Sequence, residues 1–427
     1  GNLLIVKDPK NNAISFSYDA LNRRIGEKDP LNNKTTFTYD KVGNVSKRTD
    51  ANGKAAFYTY DTLNRLTKIS YPDNSKTIFE YDAVGNLKKT TDPQGSNGVI
   101  NFYYDKLNRL AQEGDFKNIS PVVYQYDPVG NCIQMNTGVD VVRYTYDNLN
   151  RVKTIQSQDG TTTFTYDKAG RRIKTLYPNN IQAVYNYDNA NRLLLLAYKS
   201  LSNPALKLPS FAYTYDKVGN RLSLKDNEGT HTYTYDKLYR LASATYPLGN
   251  KKTYAYDKVG NRLSLKEGPT VIKYTYDAAN RLLKAGNDSY GYDKNGNLLQ
   301  VKDAVTQKTK AIYSYDFEDR MIQAMVSQPT TTITNYAYDG LGRRVSKSSF
   351  DKKKVTGYHY GGLNLLYETN KDLKITKTYT HGPVIDEILS SDNNTYLSDG
   401  LGTTRNLTNK TGQNQASYTY YAFGEPR

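Results

Sequence analysis

Phe37-Thr38-Tyr39-Asp40-Lys41-Val42-Gly43-Asn44 holds the key to the rest of the chain. Phe37 and Tyr39 are two residues apart, so on an extended strand both rings stand on one face while Thr38 points away. Asp40 then opens a turn in which its carboxylate accepts backbone N–H groups, and Gly43 closes it in a left-handed conformation. The stretch reads as a strand end, a type I turn with a bulge, and the start of the return strand.

The same pattern runs outward in both directions. Tyr-Asp occurs sixteen times, from Tyr18-Asp19 through Tyr39-Asp40, Tyr81-Asp82, Tyr215-Asp216 and Tyr256-Asp257 to Tyr338-Asp339, mostly 20 to 23 residues apart. A 28-residue gap holding Ser202-Asn203-Pro204 and a 16-residue gap after Asp277 read as changes of loop length. An aromatic residue stands two places before every one of these tyrosines. Repeats of this length imply a repeat architecture, with one hairpin per copy.

The turn divides the copies into two classes. Three residues after the Asp, even copies have Gly (Gly43, Gly85, Gly219, Gly260 among them), and odd copies have Asn except at Tyr239 and Asp319. One residue further on, odd copies all carry Arg and even copies carry Asn, except at Arg171 and Arg343. The structural unit is thus a pair of hairpins, about 42 residues.

Composition narrows the architecture. Of 427 residues 41 are Tyr, and the hydrophobic share of 37% falls to about 27% without them, low for a chain this long. Dry aliphatic cores are therefore expected to be scarce, with Tyr ladders closing a single-layer wall while their hydroxyls stay wet. The longest aliphatic run, Leu193 to Leu196, is far short of a spanning helix. One cysteine, Cys132, excludes an intrachain disulfide and reads as a small buried apolar residue.

Sixteen hairpins supply about 32 strands, whereas an open sheet rarely exceeds ~10 strands without curling or splitting. Two wrapped forms fit: an eight-bladed propeller with one blade per hairpin pair, or a continuous spiral ribbon around a hollow. The shortage of aliphatic residues favours the ribbon, because propeller blades pack face to face. The fold expected is all-β: tandem hairpins in a spiral sheet that curls into a hollow shell or barrel.

With these residues in hand, the aromatic-x-Tyr-Asp-x-x-Gly-Asn/Arg repeat closely resembles the YD repeats of RHS proteins, teneurins and insecticidal toxin complexes. The repeats cover residues 1–349. Residues 350–427 resemble the start of the RHS-associated core, through Tyr358-His359-Tyr360-Gly361-Gly362, Tyr379-Thr380-His381-Gly382-Pro383, Asp399-Gly400-Leu401-Gly402-Thr403-Thr404-Arg405 and Phe423-Gly424-Glu425. Gly400 departs from the His usual there, and the family's self-cleavage region and variable toxin lie outside this sequence. The resemblance implies a shell fragment, secreted or at a bacterial cell surface, that encloses or presents a C-terminal toxin or effector cargo. The alternative functions are a surface adhesin that binds glycans or wall polymers through tyrosine rows, and a propeller scaffold. Secretion machinery is a further expected partner, and the fragment is expected to be monomeric. The opening Gly1-Asn2-Leu3-Leu4 resembles the middle of a repeat and reads as a cut through a larger protein.

Other chemistry finds less support. Sixteen equivalent Tyr-Asp pairs call for a common folding reason, where catalysis needs one site. The odd-copy arginines read as partners of nearby Asp carboxylates. The net charge of +16 raises nucleic acid, but the cations are spread over many repeats and the rings are fixed by the repeat. His231, His359 and His381 have no metal spacing, and the turn Asp92-Pro93-Gln94-Gly95 lacks the carboxylates of a calcium loop. Neither enzyme activity nor a cofactor is expected.

Overall fold

Extended strands built on the two-residue alternation fill the chain. The computed structural model describes residues 1–92, 98–114, 120–327 and 329–427, so the turn after Asp92 lies outside the described residues. A first sheet of 36 antiparallel strands runs from β1 (Ile5–Lys7) to β36 (Ile375–Thr378), and a second of five runs from β37 (Thr380–His381) to β41 (Asn414–Ser417). Within each sheet every strand pairs with its successor, as Lys34–Tyr39 pairs with Val45–Thr49 and that strand with Ala55–Tyr60. A meander of 36 strands replaces the four-stranded blades of a propeller. Among the described residues no helix is long and apolar enough to cross a membrane, which leaves membrane β-barrels untouched.

The turn chemistry shapes every hairpin. All sixteen residues three places after the repeat Asp have positive φ, from Asn22 at 61° and Gly43 at 103° to Tyr239 and Asp319 at 60°. Asn tolerates this region because its side chain bonds locally, and Gly because it has no Cβ. The extra residue shifts the ladder register next to each repeat tyrosine, as between Thr38 and Tyr39.

Contacts between distant turns show how the ribbon curls. Lys10 Nζ lies 3.1 Å from Asp257 Oδ2, Asn52 Nδ2 donates to Asp293 Oδ2 (3.0 Å), and Tyr71 stacks on Phe317 with ring centroids 5.8 Å apart. Each contact joins turns separated by 23 strands. At ~4.8 Å per strand one lap measures about 110 Å, a ring roughly 35 Å across.

The second lap then moves onto the ring-bearing face of the first. Leu366 and Tyr367 pack on Val122 and Tyr124, and Glu113, buried between the laps, accepts from Tyr124 Oη and from the Gly362 N–H, both at 2.5 Å. By the chain end the join from Tyr246 to Ala422 spans only 18 strands. A lap with fewer strands has a smaller radius, so the face it covers is the concave one. The repeat rings therefore line the inside of the curl.

A dry core does form where this covering is complete, contrary to the expectation from composition. Leu389 and Leu397 of the five-stranded sheet pack with Ile155, Phe164, Ile181, Leu196 and Phe211 of the wall, and Ile181 and Leu397 are 0% exposed. Few aliphatic residues are needed because they are concentrated in this one region.

Candidate functional site: the repeat clasp and the C-terminal latch

The Tyr-Asp pairs are a clasp between successive hairpins. Asp19 Oδ1 accepts from the Leu21 and Arg23 N–H groups at 2.9 and 3.0 Å, and Oδ2 accepts from Arg23 Nε at 2.7 Å. Arg23 Nη1 continues to the Asp40 carbonyl (3.4 Å), and its guanidinium lies 4.6 Å from the Tyr39 ring centroid. All eight odd-copy arginines repeat this reach onto the next copy's tyrosine. Even copies use an amide instead, except where Arg171 and Arg343 reach Tyr187 and Tyr360 as the odd arginines do: Asn44 Nδ2 donates to Asp40 Oδ2 (3.0 Å) and to Asn64 Oδ1 (2.9 Å). Asn86 to Asn108 and Asn261 to Asn280 follow the same plan. There are thus two kinds of clasp, Arg from every odd copy and from the even copies of Arg171 and Arg343, and Asn from other even copies.

The tyrosine hydroxyls do not stay wet as expected. Tyr39 Oη donates to the Arg24 carbonyl (2.7 Å), Tyr81 to Leu66 (2.9 Å), Tyr215 to Leu193 and Tyr256 to Leu241 (both 2.8 Å). A carbonyl near the start of the preceding return strand accepts from fifteen of the sixteen. Tyr is required because Phe would fill the face and leave those carbonyls without this donor.

Electrostatics follow the hydrogen bonds. The Asp19 carboxyl is held below the usual range by the Arg23 N–H first, which with its guanidinium outweighs desolvation. For Asp40, Asp82 and Asp216 desolvation pushes upward but is outweighed by the amide and N–H groups of the Asn four residues on. Asp257 gains Lys10 from the neighbouring lap as well.

A second arginine set escaped the sequence reading. The register places the first residue of the return strand opposite the repeat tyrosine, as Arg24 opposite Tyr18 and Arg344 opposite Tyr338. Arg344 lies 5.6 and 4.9 Å from the Tyr336 and Tyr358 ring centroids, and Arg262 lies 4.5 and 5.1 Å from those of Tyr274 and Phe423. Arg recurring at that position was the available signal. Cys132, read as buried, is half-buried; burial pushes its thiol pKa up.

The core-like motif builds a latch over the wall. Asp399 forms a repeat-type turn, accepting from Leu401 N–H (2.9 Å) and Thr403 N–H (3.2 Å), with Gly402 at φ 79° and Leu401 exposed at the tip. Tyr213 Oη accepts from the Gly400 N–H at 2.7 Å, and a Cβ at Gly400 would stand 2.7 Å from Leu193 Cδ2. A side chain there would require Leu193 and Tyr213 to shift. Arg405 bonds Asp399 Oδ2 (3.2 Å), Asp226 Oδ2 (2.9 Å) and the Tyr418 carbonyl (3.0 Å). Phe423 meets Tyr254 edge-on at 4.9 Å, and Gly424 closes its turn at φ 87°. Asp226, Glu228 and His231 offer ligand atoms within 4.8 Å of one another. Arg405 already pairs with Asp226 and Arg427 with Glu228, so guanidiniums stand where a cation would.

The comparisons with known proteins agree with this geometry. The teneurin YD-shell model matches residues 96–198 and 215–426, about three quarters of the chain. The chain belongs to the YD-shell family. RHS repeats match within residues 18–96. The tRNA3(Ser)-specific nuclease WapA of Bacillus spizizenii is 32% identical over 126 residues, 28% of this chain and 5% of that protein. The tRNA(Glu)-specific nuclease WapA of Bacillus subtilis subsp. natto gives the same figures. The chain thus spans about a twentieth of the curated relatives it matches. The Photorhabdus luminescens Tc holotoxin pore superposes with a TM-score of 0.79 at 15% identity, over 97% of this chain and 24% of that one. The TcdB2-TccC3-TEV crystal structure gives 0.78 at 16%, over 97% and 25%. At these identities the solved structures show a shared fold, the YD shell of Tc toxins.

Proposed function

We propose that this chain is part of the shell wall of a secreted or surface-exposed bacterial RHS protein, and that it acts by enclosing a C-terminal effector polypeptide. In this reading residues 1–349 are wall, residues 350–427 begin the core that closes it, and neither part performs catalysis. The nuclease names of the WapA relatives describe whole proteins of which this chain matches a small part. The observation that carries the proposal is the position of the chain end: Ala422 is bonded to Tyr246 and Phe423 packs on Tyr254, both on the concave face. A polypeptide continuing from there starts inside the curl.

The test is protection from protease. A polypeptide of about 100 residues with trypsin sites is attached after Arg427, and the same polypeptide before Gly1 serves as the control. Cleavage at least tenfold slower at the C-terminal position is expected. Equal rates at the two ends would mean that the wall encloses nothing.

A further inference from the structure

The lysines of the wall gather on one of its sides, whereas on the other arginines such as Arg24, Arg172 and Arg262 are offset by acids. On each strand the residue between the two rings, and its partners across the ladder, point to the convex face. Lys47 lies opposite Thr38, Lys68 opposite Thr59, Lys174 opposite Thr165 and Lys284 opposite Thr275. Among the described strands of the long sheet, fifteen lysines and Arg143 face this way against one acid, Glu80. The acids Glu27, Glu113, Asp226, Glu267, Asp288 and Asp303 stand on the ring face. Lys34, Lys76, Lys174, Lys225, Lys266 and Lys273 are all exposed. They extend from the strand Lys34–Tyr39 to the strand Thr270–Tyr276, one complete lap of 23 strands. Between them the face carries hydroxyls, with Thr145 and Thr154 paired at 2.6 Å and Thr214 and Ser223 at 2.6 Å.

We propose that the convex face is a docking surface for a flexible polyanion without bases, a chain of phosphodiester or phosphate groups that winds around the wall. Three features select this occupant. The cations are lysines, flexible point charges suited to a mobile phosphate chain, where planar bidentate recognition would use arginine. The exposed rings on this face are Phe57 and Tyr103, too few for the row of stacking platforms that single-stranded nucleic acid uses. The lysines recur around most of a wall roughly 35 Å across, by the ~4.8 Å strand spacing, with Arg143 the cation in the ladder of the seven described strands between those of Lys89 and Lys174. A flat membrane meets a cylinder along one line, and duplex DNA, with a persistence length of about 150 bp, resists so tight a curve. The inference concerns the outer side alone and stands whatever the concave side holds.

The experiment measures binding of long-chain inorganic polyphosphate to the whole 427-residue chain across a salt series. Oligothymidylate of matched charge, duplex DNA and vesicles containing an anionic lipid are the comparison arms. Polyphosphate is expected to bind tightest, with affinity falling steeply as salt rises because counterions are released. Replacing Lys266, Lys273 and Lys284 by Gln is expected to weaken binding at least tenfold. The same loss of charge on the turn ridge, at Lys41, Lys106 and Lys168, is expected to change it less than twofold. Lysine acetylation of the unmodified protein gives a mutation-free readout, with Lys174, Lys225 and Lys266 protected by polyphosphate and Lys41 not. Absence of binding at low salt, tighter binding to any comparison arm, equal loss from the two triple variants, or uniform protection would each overturn the proposal.

Discussion

The strands Lys34–Tyr39 and Ser210–Tyr215 carry the same repeat and meet different fates. In the first, Phe37 and Tyr39 stay half-buried, supported by Arg24 and Arg23 stacked on their rings. In the second, Tyr213, the counterpart of Phe37, and Phe211 two residues before it are 3% and 1% exposed, because the Asp399 turn and Arg405 lie across them, while Tyr215 stays half-buried like Tyr39. The repeat is therefore stable enough to form a wall without a dry core, and becomes a core only where another part of the chain covers it. Repeat proteins gain most of their stability from neighbour to neighbour, which is why an uncovered stretch can persist.

The contrast can be broken most forcefully at the cover. Leu397→Ala removes a side chain that is 0% exposed, and is expected to cost about 2–5 kcal/mol. Hydrogen exchange should rise in residues 142–224 while residues 13–60 stay as they were. A uniform rise would show that the two regions are one cooperative unit.

A pH series sharpens the same boundary where the laps overlap. Burial holds His359 at a pKa of about 4, and its ring stacks 4.5 Å from that of Tyr367. The unfolded chain takes up its proton first as pH falls from about 6.5, so stability present at neutral pH is lost progressively down to about 4. The full effect is at most ~3 kcal/mol at 1.36 kcal/mol per unit. Faster exchange at pH 5 than expected from chemistry alone, confined to Val355–Thr369 and removed by His359→Gln, is the predicted signature.

Crowding at the latch gives the next effect. Gly400→His forces a Cβ against Leu193 and Tyr213 and is expected to cost about 1–3 kcal/mol, read as loosening of residues 398–405. Unchanged protection there would show that the turn can withdraw from the wall at little cost.

Turn chemistry in the wall gives the smallest difference. Gly219 sits at φ 100° and Asn191 at 62°. Gly219→Val, a strained branched residue at positive φ, is expected to lower stability by about 1–2 kcal/mol, and Asn191→Gly by a few tenths. Equal melting temperatures would contradict the left-handed turn as the source of the hairpin geometry.

Much of the wall was legible because its causes are local. The two-residue spacing of Phe37 and Tyr39 set the face, the Asp40-to-Gly43 interval set the turn, and the Arg/Asn alternation gave the hairpin pair. Each depends on atoms within a few residues of one another. The arginine-to-aspartate pairing could also be anticipated, since Arg23 is four residues from Asp19. Less visible was that Arg23 reaches on to Tyr39, and that the tyrosine hydroxyls bond carbonyls about fifteen residues back, because both need the ladder register.

By itself, then, the sequence determined a strand-and-turn repeat with two alternating clasps and a sheet too long to lie flat. Tertiary structure alone decided the 23-strand lap, the choice of the ring face as the inside, and the collection of lysines on the outside. Those depend on small twists summed over many strands, which bring Lys10 to Asp257 across almost 250 residues. No local interval in the chain records where such a sum closes.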